Sequence, residues 1–235
     1  MLLAEAEAYF SRPIAPTRRV SLGRLLLPCD PAPGYAGVLL GGMAARFGGD
    51  LDEDWHENAL LLMTQIERGM RIVQPRLRHR LQDDRVGLRS CSHRLLSRDG
   101  GVDFDFDDDK GTPAQHAICA IYAAGTVAWS ARSAVMDTVR KGLKWRGEIG
   151  PPLVAHLSGR SSVFALSSEA IGDPVSWALG VLDLRDGSAR AVDAKQVQRA
   201  FRTQLRDAHP DHGAEDQGAA QRIAELTEAR RILLG

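Results

Sequence analysis

Arg206-Asp207-Ala208-His209-Pro210-Asp211-His212-Gly213 separates two stretches of helical periodicity near the end of a 235-residue chain. Before it, Val197, Ala200, Phe201, Leu205 and Ala208 recur at three- and four-residue spacing, so they share one face of a helix. After it, Ile223, Leu226, Ala229 and Leu233 do the same. Pro210 lacks a backbone N–H and pushes His209 away from the α region, so the first helix must stop at about Ala208. The predicted object is a helical hairpin whose tip carries an imidazole and a carboxylate on either side of a rigid proline.

Lys195, Arg199, Arg202 and Arg206 fall at i, i+4, i+7 and i+11 of the upstream helix, a basic stripe opposite the Val197/Phe201/Leu205 face. On a short helix such a stripe is ordinarily a solvated face, and His209 could equally be a helix-end histidine with Asp211 capping the next helix. Asp193-Ala-Lys-Gln196 supplies the upstream cap.

His209-Pro210-Asp211, flanked by Val197-Gln-Arg-Ala200-Phe201-Arg202 and by Ile223-Ala-Glu-Leu226-Thr-Glu-Ala229-Arg-Arg-Ile232-Leu233, resembles a J domain, the module of DnaJ-type co-chaperones. The likeness covers about the last 60 residues, and Asp173-Pro174 with Trp177-Ala-Leu179-Gly180-Val181 is similar to the family's first helix. Several positions depart from it. Between Gly180 and Val197 the chain is longer than usual, with the loop Arg185-Asp-Gly-Ser-Ala-Arg190; Gln204, Leu205, Ala208 and Arg230 replace the usual residue types. The glycine/phenylalanine linker, the zinc-binding cysteine repeats and a fourth helix are not expected. The resemblance implies docking on a DnaK-type chaperone through His209, Pro210, Asp211 and the basic stripe Lys195, Arg199, Arg202 and Arg206. It implies stimulated ATP hydrolysis by that partner and no bond chemistry in the module itself.

Residues 1–168 read as a separate domain preceding the module at 173–235, with no recognised family and the role of choosing client or location. The expected fold class is α+β: helices with a small antiparallel β-meander, followed by an all-α helical hairpin. Hydrophobic residues at 44% and charged residues at 26% support a buried core, and 30 basic residues balance 30 acidic ones. That balance argues against nucleic acid and anionic membranes as partners. Cys29, Cys91 and Cys119 are widely spaced and make no Cys-x-x-Cys, so they fit buried thiols in a reducing compartment; neither metal nor cofactor is expected. The opening Met-Leu-Leu-Ala-Glu-Ala-Glu lacks a signal peptide's basic region, and the uncharged stretch Ala117 to Ala131 is too short to span a bilayer. A cytoplasmic location is expected.

In order, the chain predicts a helix over Leu2 to Phe10, a strand over Val20 to Leu27, and a glycine-bounded helix over Val38 to Phe47. The glycines there fit neither a phosphate loop nor a dinucleotide turn. Asp54-Trp-His-Glu57 is expected to open a helix running to about Val73. The meander holds Leu77, His79 and Leu81, then Val86 and Leu88, then Leu95 and Leu96 turning at Asp99-Gly100-Gly101 into Val102, Phe104 and Phe106. The alternating Asp103, Asp105 and Asp107 lack the spacing of a calcium loop and read as a solvated face opposed by arginines of 76–89. Thr112-Pro113 starts a helical stretch to about Trp145 that can divide at Gly125. Leu153 to Leu157 and Val163 to Leu166 suggest a hairpin, and Ser167 to Asp173 a linker.

Two other readings stay open. One is a J-like interaction module that docks without activating a chaperone. The other is an enzyme site within residues 1–166; His56, His79, His93, His116 and His156 are scattered there without a zinc-helix or nucleophile-elbow motif.

Overall fold

The computed structural model describes residues 1–12, 14–15, 18–72, 79–98, 101–159, 168–185, 192–208 and 216–234, with side chains left out for 168 and 216–218. Five strands form one sheet in the order β3-β2-β1-β4-β5: β1 (Leu2–Phe10), β2 (Arg18–Leu26), β3 (His79–Leu81), β4 (Arg89–Arg98) and β5 (Gly101–Phe106).

The expectation of a helix at Leu2–Phe10 is corrected: the segment is the central strand. Alanine and glutamate are good helix formers, but here they alternate, and alternation is the strand period. Ala4, Ala6, Ala8 and Phe10 are buried on one face, while Glu7 and Tyr9 lie on the other. The strand pairs antiparallel with β2 on one side and β4 on the other. The expected meander is also corrected, because β3 joins β2 in parallel. Two helices intervene between those strands, long enough for the crossover that parallel pairing needs.

The β4–β5 hairpin forms as expected, although Asp99 and Gly100 at its turn lie outside the described residues, as does Leu77 of the first meander strand. Among the described residues the acids of β5 are opposed by Arg94 and Arg98 of β4, not by Arg80 or Arg85 of the expected region; Arg76 and Arg78 lie outside the described residues. Asp103 is 3.2 Å from Arg98 and Asp105 is 3.7 Å from Arg94. Register explains this, since Arg94 sits directly across from Asp105. Glu5, buried on the same outer face of the sheet, accepts from Arg94 Nε at 2.8 Å and from Ser92 at 3.0 Å.

The inner face of the sheet is covered by α1 (Gly34–Gly48) and α3 (Pro113–Ala124), with α4 (Trp129–Leu143) packed behind α1. The glycine-bounded helix is present and nearly all of α1 is buried. α2 (Glu53–Glu67) starts two residues earlier than expected, because Asp52 Oδ1 caps it by accepting from Trp55 N at 2.7 Å. It ends at Gly69, whose φ of +62° suits only glycine comfortably, well before Pro75. The long stretch after Thr112 does divide. Thr112 and Gln115 form a reciprocal capping box for α3, and Gly125 closes that helix by donating to Ile121 and Tyr122 carbonyls.

Leu153 to Leu157 belong to α5 (Pro151–Ser158), which corrects the expected hairpin; the other half, 163–166, lies outside the described residues. Pro151 at the first turn favours the helix, and Leu153, Val154, Ala155 and Leu157 are all buried. The expected linker contains α6 (Ser168–Gly172), with Ala170 and Ile171 buried.

A second apolar cluster joins α7 (Pro174–Val181), α8 (Ala194–Asp207) and α9 (Asp216–Leu234). Its centre is Ala178, Leu182, Val197, Phe201, Leu226 and Ala229. Trp177 and Ala224 also touch the main core. The molecule is therefore α+β, with a mixed five-stranded sheet and nine helices among the described residues.

Two consequences are testable. A methyl on Gly142 of α4 would meet the carbonyl oxygen of Gly41 in α1 far inside contact distance. Gly142→Ala is expected to lower unfolding free energy by about 2–3 kcal/mol, the usual range for forcing atoms into a packed core. Gly49→Ala, at a helical φ of −57° with nothing closer than 3.4 Å, leaves stability unchanged or raises it; urea denaturation of both variants distinguishes them. The second concerns pH. The Arg94 hydrogen bond, against the opposing effect of burial, holds the Glu5 carboxyl below its ordinary 4.5. A lowered native pKa contributes stability above the unfolded value, and the contribution fades as pH falls through the native one. Glu5→Gln is therefore expected to cost about 1.5 kcal/mol at pH 7. The gap to wild type should begin to narrow as the pH drops below 4.5 and close as it falls through the lower native value.

Candidate functional site

Asp193 starts α8 with a capping box: it accepts from Lys195 N at 3.2 Å, and its own N–H donates to Gln196 Oε1 at 2.9 Å. The helix then shows the sharpest apolar–polar segregation among the described helices. Val197 and Phe201 point into the small core, while Lys195, Arg199, Arg202 and Arg206 are all exposed. Ala208 is the C-cap, as the proline downstream requires. His209, Pro210 and Asp211 lie outside the described residues, so the structure places the basic stripe and the approach to the tip, not the tip itself.

Lys195, Arg199 and Arg202, with Ala194, Gln198 and Thr203, line an open hollow of about 560 Å³ on the outer face of α8. Arg206 lies 3.5 Å from its neighbour Asp207. The hollow is wide and shallow, suited to a macromolecular surface better than to an enclosed small molecule.

The other two helices hold this face in place. The Arg230 guanidinium of α9 sits 4.9 Å above the Phe201 ring, a cation–π contact that joins α9 to α8. Arg222 Nη2 donates to the Val181 carbonyl at 3.1 Å and ties α9 to the end of α7. Glu228, buried on α9, pairs with Arg231 at 2.6 Å.

A second constellation was not foreseen in the sequence. Cys91 and His93 are alternate residues of β4 and face inward; His116, in the first turns of α3, meets them. His93 Nε2 lies 2.9 Å from His116 Nδ1 and 3.4 Å from Cys91 Sγ, and Cys91 Sγ lies 3.8 Å from His116 Nδ1. All three are buried. Phe47 stacks on His116 with centroids 4.2 Å apart, Phe10 meets its edge, and Phe106 lies beside His93.

Burial sets the protonation states. It pushes the Cys91 thiol up to about 12. Burial first, and then His116, pushes His93 down to about 3. Burial also lowers His116, against a hydrogen bond to the Lys110 main chain and the charges of Asp107 and Asp108. As an isolated cluster the three groups are neutral near pH 7. Among the described residues His93 Nδ1 has no hydrogen-bond partner.

The sequence did carry a signal. Cys91-Ser92-His93-Arg94 puts two donor side chains on one strand face and two solvent-seeking ones on the other, and a strand cannot send both pairs to water. The other histidines among the described residues are dispersed: His56 Nε2 contacts the Gly48 carbonyl, His79 starts β3 and His156 packs on Trp145. Of the described residues, the three groups that can hold a metal are thus Cys91, His93 and His116. No described helix is long and apolar enough to cross a membrane. In comparison with known proteins, no family model, no curated protein and no solved structure matches this chain.

Proposed function

We propose that the C-terminal helices act as a J domain that docks on a DnaK-type chaperone and stimulates its ATP hydrolysis, with residues 1–168 selecting client or location. The observation that carries this reading is the exposed row Lys195, Arg199, Arg202 and Arg206, which leads along α8 toward His209-Pro210-Asp211. Cations around a wide, shallow hollow suit an acidic protein partner: they steer encounter and set orientation, and they weaken with salt. The packing of α8 on α9 over Val197, Phe201, Leu226 and Ala229 supports that row. In this reading Asp211 contacts the chaperone's basic residues while His209 and Pro210 hold it in position.

Single-turnover ATP hydrolysis by DnaK with a model peptide tests the proposal. Wild type is expected to accelerate hydrolysis, and His209→Gln and Asp211→Asn are expected to abolish the acceleration. Reversing Arg202 and Arg206 to Glu should raise the concentration needed for half-maximal stimulation about tenfold at low salt, equivalent to about 1.4 kcal/mol. The deficit should shrink as salt is added, since screening lengths fall to about 8 Å at physiological ionic strength. Equal rates with wild type and both tip variants reject the proposal.

A further inference from the structure

We propose that Cys91, His93 and His116 form a zinc site that fastens β4 to α3. Three donor atoms of the types zinc prefers, one sulfur and two imidazole nitrogens, converge from two elements 23 residues apart. Their separations of 2.9, 3.4 and 3.8 Å define a triangle that fits one small ion. An ion equidistant from the three atoms sits about 2 Å from each, close to the usual Zn–N and Zn–S lengths of roughly 2.0–2.3 Å. A tetrahedral ion needs the atoms spread only slightly further, and a water can complete the set.

The surroundings fit the ion as well. A metal-bound imidazole is normally held by a hydrogen bond at its other nitrogen. At His116 the Nδ1 atom faces His93 and the outer Nε2 lies 3.0 Å from where a Gly111 methyl would sit, whereas the outer nitrogen of His93, Nδ1, has no partner among the described residues. Negative charge is close by. Asp107 acts electrostatically on both Cys91 and His116, and Asp108 on both histidines; these acids offset Lys110, which acts on Cys91, and Arg46, which acts on His116 and pairs with Asp108 at 2.7 Å. Phe10, Phe47 and Phe106 close the sides against water, which strengthens each metal–ligand bond. The acids at the end of β5 then have a use that their alternation alone does not suggest.

Thiolate with imidazole selects zinc or copper over the hard cations magnesium and calcium, and zinc matches a three-residue set with one further position. Binding would tie the central part of the sheet to the start of α3, a staple on the core and not a reaction centre of the chaperone-directed face.

The full chain, stripped with chelator and titrated with Co²⁺, provides the test. One Co²⁺ per chain is expected to bind, giving visible d–d bands and a thiolate-to-cobalt charge-transfer band, with zinc displacing it. Cys91→Ser should lose the charge-transfer band, and His116→Ala should lose stoichiometric binding. Saturating zinc should raise the wild-type unfolding midpoint by about 5 °C or more. X-ray absorption at the zinc edge of the wild type keeps the inference open to refutation even where a variant fails to fold: one sulfur and two imidazoles are expected. A folded wild type that gives no charge-transfer band, or a zinc shell of oxygen ligands alone as the acidic run would provide, overturns it.

Discussion

Everything in the larger part of this molecule depends on how closely α1 can approach its neighbours. The helix is buried almost end to end, so it must touch sheet, α3, α4 and α5 at once. Glycines make that possible. At Gly41 and Gly142 the backbones of α1 and α4 come together with no room for a methyl, and at Gly42 a methyl would strike the Phe104 ring of β5. Each helical glycine costs roughly 0.5–1 kcal/mol in backbone entropy. Close packing against two elements offsets it through dispersion contacts that a bulkier residue would prevent. The alanines of β1 serve the same geometry on the sheet side, presenting a low surface on which the helices lie.

This dependence explains which elements the sequence disclosed. Elements with strong local chemistry were legible: the helix start at Thr112-Pro113, the division at Gly125, the β4–β5 pairing, and α8 with its Asp193–Gln196 box. Elements whose form is decided by distant partners were not. Leu2–Phe10 has helix-forming residues but becomes a strand because β2 and β4 flank it on both sides. Leu153–Leu157 is a short apolar run, for which period alone cannot separate strand from helix; burial of four of its residues against the helical layer selects the helix. β3 is only three residues long and owes its existence to the free edge of β2.

The same distinction applies to the two sites. The basic row on α8 is periodic within one helix and could be read directly. The Cys91/His93/His116 cluster joins two elements, and neither half is conspicuous by itself. What separates it from ordinary core is an inconsistency of levels. An inward strand face that elsewhere carries Leu95, Phe104 and Phe106 also carries a thiol and an imidazole, which bring polar atoms where alanine or valine would pack without cost.

The basic row poses a parallel inconsistency, this time on the surface. Lys195 with Arg199, and Arg202 with Arg206, are like charges at i and i+4, each pair opposing helix formation by about 0.2–0.5 kcal/mol. Lys195 also stands in the first turn, where the helix dipole disfavours a cation. Only Arg206, near the C-terminal end and beside Asp207, gains from its position. Neutral glutamines at the other three sites would fold α8 at least as well, since their helix propensity is close to that of lysine and arginine. The row is therefore not accounted for by the stability of its own helix, which is the argument for the docking role proposed above. An acidic partner surface removes both penalties on contact, which is why the row weighs toward a docking role even though each exposed charge alone contributes little.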